Sequence, residues 1–194
     1  MTTRPTTLCV FCGSRHGADP AYTEAAREVG REIGRRGWQL VYGGGNVGLM
    51  GEVADAAMDA GARVIGVIPE ALMQREVGHR GLHELLIVPT MHARKQAMAE
   101  RADAFVALPG GLGTFEELFE VWTWRQLGWH ARPLGLLNSA GYYDALIGFL
   151  RTTVERGFVS APQADLLLVD TTPAALLDRI GAELNAARVD LSRT

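Results

Sequence analysis

The sequence has no excess of positive charge and no long apolar run. Its formal net charge is −3 and its pI is about 6.0, so it lacks the basic surface that nucleic acids and anionic membranes attract. No apolar segment reaches the roughly 20 residues of a membrane-spanning helix. The N-terminus enters an apolar strand without the pattern of a signal peptide. We therefore expect a cytoplasmic protein with no nucleic-acid partner and no membrane partner.

Cysteine and histidine are too few and too poorly spaced to indicate a metal or redox site. The two cysteines, Cys9 and Cys12, form a C-x-x-C pair. The pair falls in a predicted strand, where residues three apart point to opposite faces, so we expect two small buried hydrophobic side chains. His79 and His83 are four residues apart, but the glycines around them argue against a helix. We predict that these histidines are solvated loop residues and that the protein binds no metal.

Apolar residues are abundant enough for one sizeable core. They make up 47% of the 194 residues, and this length suits a single domain. We predict one domain over residues 1–188, followed by a short C-terminal tail at residues 189–194.

Strands and helices alternate along the chain. The predicted strands are Leu8–Ser14, Trp38–Gly44, Arg63–Pro69, Leu82–Val88, Ala104–Gly110, Arg132–Asn138 and Asp165–Asp170. The predicted helices are Pro20–Arg36, Leu49–Ala60, Met91–Arg101, Thr114–Leu127, Tyr142–Arg156 and a last helix from Pro173. Several strands are apolar nearly throughout, which is typical of a parallel sheet covered on both faces. We predict an α/β fold, a Rossmann-like doubly wound parallel sheet flanked by helices, with ligands at the carboxyl ends of the strands.

Glycine-rich segments follow the first two strands. CGSRHG contains Gly13 and Ser14, and YGGGNVGLMG contains Gly43, Gly44 and Gly45. Turns of this kind expose backbone N–H groups to a phosphate, so these five residues form a possible nucleotide loop. The second segment also resembles the G-x-G-x-x-G fingerprint of dinucleotide sites, which normally follows the first strand. Glycines that only permit tight packing of helix on sheet are the alternative.

The segment PGGLGTFEE, Pro109–Glu117, puts two carboxylates directly behind a third glycine-rich turn. On one interpretation, Thr114 caps the helix and Glu117 reaches back to it, as in a capping box. On the other, the turn holds the phosphate of a nucleotide while Glu116 or Glu117 faces the sugar. A carboxylate there stabilises the positive charge that develops as a glycosidic bond breaks, or activates water. Both interpretations stay open from this segment alone.

Two cations open the helix that precedes this segment. Arg94 and Lys95, in MHARKQ, fall near the positive end of the helix dipole, where a cation is locally unfavourable. This placement indicates an anion for the pair to bind, although a solvated pair is also compatible with it. An arginine can stabilise a departing anionic base but is a poor proton donor.

Taken together, PGGLGTFEE, MHARK and GGGNVGLMG resemble the Lonely Guy (LOG) family of cytokinin riboside 5'-monophosphate phosphoribohydrolases. The resemblance runs from VFCGSRHG through WTWRQLGWH into the C-terminal helices. It implies hydrolysis of an N6-substituted adenosine 5'-monophosphate to free base and ribose 5-phosphate. It also implies a homodimer, and an enzyme without metal or redox cofactor.

The resemblance further implies which residues form the site. Arg94 and Glu117 match the pair regarded as catalytic. The implied substrate-binding residues are Glu76, Arg94, Lys95, Gly110, Gly111, Leu112, Gly113, Thr114, Phe115, Glu116, Glu117 and Thr123. Two of these have simpler interpretations as well, Glu76 as a solvated loop acid and Thr123 as a packed helix residue.

A non-catalytic carrier of a nucleotide or cofactor, with a similar fold, is the alternative function. A carrier needs the glycines but has no need of both Arg94 and Glu117, so their joint presence favours the enzyme. Lysine decarboxylase, a label often given to members of this family, has no support, because nothing in the sequence resembles a site for pyridoxal phosphate.

Overall fold

All seven predicted strands are present and pair in parallel. The computed structural model describes residues 4–73 and 78–191, without the side chains of residues 188–191. Its strands are β1 (Thr7–Phe11), β2 (Gln39–Tyr42), β3 (Val64–Pro69), β4 (Glu84–Val88), β5 (Ala104–Ala107), β6 (Leu134–Leu137) and β7 (Leu167–Asp170). They form one sheet in the order β4-β3-β2-β1-β5-β6-β7, and every neighbouring pair is parallel. The predicted doubly wound sheet is confirmed.

Helices connect successive strands. They are α1 (Pro20–Arg35), α2 (Gly48–Asp59), α3 (Glu70–Met73), α4 (Met91–Arg101), α5 (Leu112–Gln126), α6 (Asp144–Glu155), α7 (Ala161–Ala164) and α8 (Pro173–Leu191), with one 3-10 turn at Ser139–Gly141. The short helices α3 and α7 have no counterpart among the predicted elements. Helix α8 continues to Leu191, so the predicted boundary at residue 188 falls inside a helix. Among the described helices, none combines the length and the apolar character needed to cross a membrane.

Two apolar layers cover the faces of the sheet. Successive strand residues point to opposite sides, so Leu8 and Val10 enter one layer while Cys9 and Phe11 enter the other. Helices α1, α2 and α8 pack on the first layer, and α4 and α5 pack on the second. The strands are therefore buried on both sides, which is why their sequences are apolar nearly throughout.

The cysteine prediction is confirmed, but the histidine prediction is wrong for His79. Cys9 and Cys12 are free thiols buried on opposite faces of the sheet. His79 is buried rather than solvated. Its Nδ1 accepts the Gly81 N–H at 3.2 Å, so the proton is on Nε2, which donates to the Asp55 carboxylate at 2.8 Å. The bond to Asp55 connects the segment that contains His79 to helix α2, and the bond to Gly81 fixes the imidazole ring within that segment.

The direction of winding reverses between β1 and β5. The two strands are neighbours, but α1 and α5, which follow them, pack on opposite faces of the sheet. The loops after β1 and β5 therefore separate and leave a crevice, the usual place for a ligand in such sheets. The Gly13 N–H donates to the Pro109 carbonyl at 3.0 Å, which joins the two loops at the base of this crevice.

Candidate active site

Most of the predicted site residues meet in one cleft at this switch point. The cleft has a volume of about 210 Å³. The predicted residues that line it are Gly13, Ser14, Gly43, Arg94, Gly111, Leu112, Gly113, Thr114, Glu116 and Glu117. They come from the ends of β1, β2 and β5, from the start of α4 and from the first two turns of α5. These segments are far apart in sequence, and the parallel sheet brings them to one edge.

Helix α5 begins two residues earlier than predicted. Its N-cap is Gly111 and its first residue is Leu112, and the Phe115 N–H makes the first helical bond, to the Gly111 carbonyl at 3.1 Å. Thr114 is therefore inside the first turn. The capping-box interpretation of Thr114 and Glu117 is wrong, because the glycine turn itself starts the helix.

The start of α5 provides an open anion cradle. The first N–H groups of a helix have no partner inside the helix, and those of Leu112, Gly113 and Thr114 bond to no other described residue. A Cβ at Gly111 or Gly113 would meet no atom within 4 Å, and Gly111, Leu112, Gly113 and Thr114 all line the cleft, so this turn is open to a ligand. The helix dipole adds to the attraction of these N–H groups for a phosphate.

Arg94 is buried beside this cradle and is held by two backbone carbonyls. Thr90 caps α4 by accepting the Ala93 N–H at 3.1 Å, which places Arg94 one turn into the helix. Its Nε donates to the Val67 carbonyl at 3.2 Å, and its Nη2 donates to the Gly43 carbonyl at 3.1 Å. The guanidinium is thereby fixed against β3 and the residue that follows β2, while its Nη1 contacts the sulfur of Met91 at 3.8 Å. Arg94 and Met91 both line the cleft.

Gly43 is a glycine because Arg94 lies against it. A Cβ at Gly43 would lie 1.8 Å from Nη2 of Arg94, so no other residue fits without displacing the guanidinium. Close packing therefore explains this glycine of the second loop, and the dinucleotide fingerprint is not needed to account for it.

Glu117 lines the same cleft as Arg94 and is partly buried. Burial raises the pKa of its carboxyl group to about 7, with Arg94 lowering the pKa and Glu116 raising it. In the described part of the chain, Arg94 and Glu117 line the same cleft but form no ion pair with each other.

Lys95 is turned away from the cleft and joins α4 to α5. Its Nζ donates to Glu116 at 2.5 Å and to Glu120 at 2.9 Å, and the side chain is only 11% exposed. Its ammonium is thus bound by acids of the helix that carries Glu117. The predicted Arg-Lys pair therefore divides, with Arg94 facing the cleft and Lys95 facing α5.

Several other predicted residues lie outside the cleft. Thr123 donates its hydroxyl to the Phe119 carbonyl at 2.7 Å, and Phe115 packs edge-on against Tyr143. Gly110 lies in a neighbouring cleft of about 500 Å³. Glu76 lies outside the described residues.

Two of the predicted loop glycines also lie away from the cleft. A side chain at Gly44 would meet the backbone of Val67 at 3.1 Å. Gly45 pairs with Gly78 in an isolated antiparallel bridge. Both glycines therefore serve packing and loop pairing.

Some residues of the cleft are not evident from the sequence. Cys12, Met50 and Met91 line it, so two thioethers and a thiol form its apolar wall. Cys12 and Met50 follow the pattern of ordinary core residues, which gave no sign of a site. Met91 is the first residue of the helix that carries Arg94, so its position close to Arg94 in the sequence could have indicated that it lines the cleft.

The chain is similar to proteins with established names. Residues 50–180 match the family described as "Possible lysine decarboxylase". The cytokinin riboside 5'-monophosphate phosphoribohydrolase LOG7 of Arabidopsis thaliana is 51% identical over 172 residues, which cover 89% of this chain and 79% of that protein. The probable cytokinin riboside 5'-monophosphate phosphoribohydrolase LOGL2 of Oryza sativa subsp. japonica is 49% identical over 173 residues, which cover 89% of this chain and 71% of that protein.

Solved structures of lower identity share the fold. The molybdenum cofactor binding protein from Rippkaea orientalis superposes with a TM-score of 0.71 at 22% identity, covering 93% of this chain and 98% of the other. The Moco carrier protein from Chlamydomonas reinhardtii gives a TM-score of 0.71 at 21% identity, covering 94% and 99%. At this level of identity the likeness supports the Rossmann-like fold and carries no conclusion about the ligand.

Proposed function

The chain belongs to the cytokinin riboside 5'-monophosphate phosphoribohydrolase family, and on that premise we propose that it hydrolyses N6-substituted adenosine 5'-monophosphates. The products are the free base and ribose 5-phosphate. The observation that carries this proposal is the meeting of a free helix N-terminus, Arg94 and Glu117 in one cleft. Hydrolysis changes no oxidation state, so the reaction needs no redox cofactor.

The substrate lies with its phosphate on the cradle at the start of α5. The N–H groups of Leu112, Gly113 and Thr114 bind the phosphate oxygens, because they are unpaired and at the positive end of the helix. This places the ribose over Glu117, one turn further along α5, and directs the base toward Arg94 and the thioether of Met91. The predicted loop residues Gly13 and Ser14 form the opposite wall.

The reaction breaks the bond between C1' of the ribose and the base nitrogen. The bonding electrons leave with the base, and positive charge develops on C1'. The Glu117 carboxylate stabilises that charge and accepts a proton from the attacking water. Arg94 stabilises the negative charge on the departing base. Over the cycle, the hydroxide of one water goes to C1' and its proton goes to the base.

The protein acts as a homodimer in the cytoplasm, where its charged nucleotide substrate is retained. Large apolar side chains on and beside α5 and α6 are exposed in the single chain, namely Phe119, Leu127, Trp129, Phe149 and Phe158. Helix α6 has no buried residue. A second copy that covers this surface would remove apolar area from water.

The direct test is to incubate purified protein with N6-isopentenyl-AMP and, separately, with AMP, and to assay free base and ribose 5-phosphate. Release of both products supports the hydrolase, and the ratio of the two rates measures how much the N6 substituent contributes. N6-isopentenyladenosine, which lacks the phosphate, is the control and is expected to be a poor substrate. Binding of the nucleotides without either product would instead support the non-catalytic carrier.

A further inference from the structure

Tyr142 lies beside the phosphate cradle without entering the catalytic cleft. It lines the neighbouring cleft of about 500 Å³, together with Gly110 and Tyr22. Its hydroxyl donates to the Gly110 carbonyl at 2.5 Å. Its ring packs edge-on against Tyr22, with 5.4 Å between centroids, and against Tyr143, with 4.8 Å. The hydroxyl is therefore held in place by contacts from two elements.

Three consecutive carbonyls lead into the cradle, and each has its own donor. The Leu108 carbonyl accepts the Tyr143 hydroxyl at 2.6 Å. The Pro109 carbonyl accepts the Gly13 N–H at 3.0 Å. The Gly110 carbonyl accepts the Tyr142 hydroxyl, so none of these three peptide planes is free to rotate.

The orientation of the Gly110 carbonyl fixes the next N–H group. In a trans peptide the C=O and N–H bonds point in opposite directions, and the described chain has no cis peptide bond. Because Tyr142 holds the carbonyl of Gly110 on its own side, the N–H of Gly111 points away from Tyr142. That N–H is adjacent to the free N–H groups at the start of α5, and it bonds to no other described residue.

The turn that carries Tyr142 is specified by several contacts. Ala140 has a φ of 50° and Gly141 a φ of 72°, and such a left-handed conformation is strained in a residue other than glycine. Asn138 holds the turn, since its Oδ1 accepts the Tyr143 N–H and its Nδ2 donates to Asp144, both at 2.7 Å. The turn thus delivers two tyrosine hydroxyls to the end of β5.

We propose that Tyr142 is a positioning residue for phosphate recognition, whose hydroxyl holds the Gly110 carbonyl so that the Gly111 N–H faces the phosphate. This inference rests on the proposed function, because it takes a phosphorylated ribose as the ligand of the cradle. It assigns a role to a residue that is absent from the predicted site.

The test compares the wild type with Tyr142→Phe and Tyr22→Phe. Tyr142→Phe keeps the ring packing and removes the hydroxyl. Tyr22→Phe is the matched control, because Tyr22 lines the same cleft and its hydroxyl bonds to no described residue. Calorimetry measures the affinity of each protein for ribose 5-phosphate, AMP and adenosine. Thermal midpoints within about 2 °C of the wild type show that the fold is kept.

We expect Tyr142→Phe to reduce the affinity for ribose 5-phosphate and for AMP by about three- to tenfold, because one hydrogen bond is lost. Adenosine affinity stays unchanged, and Tyr22→Phe binds all three ligands as the wild type does. Equal affinity of wild type and Tyr142→Phe for ribose 5-phosphate overturns the proposal, and so does an equal loss for adenosine. Wild type that binds ribose 5-phosphate but turns over no nucleotide refutes the hydrolase and leaves this test valid. If the wild type does not bind ribose 5-phosphate, the assignment of the start of α5 as a phosphate site is refuted.

Discussion

At the scale of single residues, the site depends on a carboxyl group whose proton affinity is shifted by burial. The sequence identifies Glu117 as one of two candidate acids, but a helix that begins at Thr114 would place it in the first turn. Because α5 begins at Leu112, Glu117 lies beyond the first turn instead. The structure separates the two acids. Glu116 bonds to Lys95, while Glu117 is partly buried and makes no ion pair with a described residue.

The pH dependence of turnover follows from this shift. The pKa of Glu117 is raised to about 7, and the ionised form is the one that stabilises positive charge. We therefore expect kcat to fall as the pH decreases through about 7. Glu116→Gln removes a negative charge that raises this pKa, so its profile moves to lower pH. Stopped assays between pH 5.5 and 8.5 measure kcat as a function of pH. A wild-type kcat that does not change over this range would refute this role for Glu117.

Gly43 provides a second test at this scale. Gly43→Ala forces its Cβ against the Arg94 guanidinium, and a displacement of about 1 Å at a catalytic group can reduce turnover by about a hundredfold. Gly181→Ala, in α8, is the matched control, because a Cβ there would lie 3.6 Å from Trp38, an ordinary van der Waals contact. Steady-state kinetics measure kcat of both variants against the wild type. Full activity of Gly43→Ala would show that Arg94 is not held at the position described.

At the scale of elements, the sequence predicted which segments form helices and strands better than where they end. The strand predicted over Trp38–Gly44 pairs only over Gln39–Tyr42, because the Gly43 carbonyl binds Arg94 instead of a neighbouring strand. Helix α5 starts at Leu112, because a glycine turn replaces the side-chain cap that sequence patterns favour. Both ends are set by tertiary contacts that no local pattern records.

The link between α4 and α5 is testable through Lys95. Lys95→Met leaves Glu116 and Glu120 without their cation, and Lys95 lowers the pKa of Glu117. We expect the acid limb of the pH profile of kcat to move to higher pH in Lys95→Met. In Lys95→Arg, which keeps the positive charge, the profile should stay close to that of the wild type. The family resemblance implies a substrate contact for Lys95 instead. A higher KM with an unchanged pH profile in Lys95→Met would favour that contact over the structural link.

At the scale of the whole molecule, the parallel sheet was predictable and its strand order was not. Strands that are apolar on both faces indicate a parallel sheet covered by helices. Nothing local in the sequence shows that β1 lies between β2 and β5, yet this order brings Gly13 against Pro109 and creates the crevice. The sequence therefore names ten of the residues that line the cleft, but not the contacts among them.

Assembly belongs to this scale as well. Light scattering coupled to size exclusion should give twice the chain mass of 21.0 kDa. Phe149 is 63% exposed, and we expect Phe149→Asp to shift the protein toward the monomer, because burying a charge at an apolar interface is unfavourable. A wild type that stays monomeric at high concentration would contradict the homodimer.

Hydrolysis of N6-isopentenyl-AMP by Glu117→Gln, measured beside the wild type and Glu116→Gln at pH 8, tests the central claim most directly. Burial raises the pKa of Glu117 from 4.5 to about 7, so stability is lost as the pH rises from about 4.5 to about 7, and that loss is complete at pH 8. Glu117→Gln should therefore melt no lower than the wild type. The account predicts that Glu117→Gln binds the nucleotide but loses at least about a hundredfold in kcat, while Glu116→Gln retains most of its turnover. Full turnover by Glu117→Gln would contradict it.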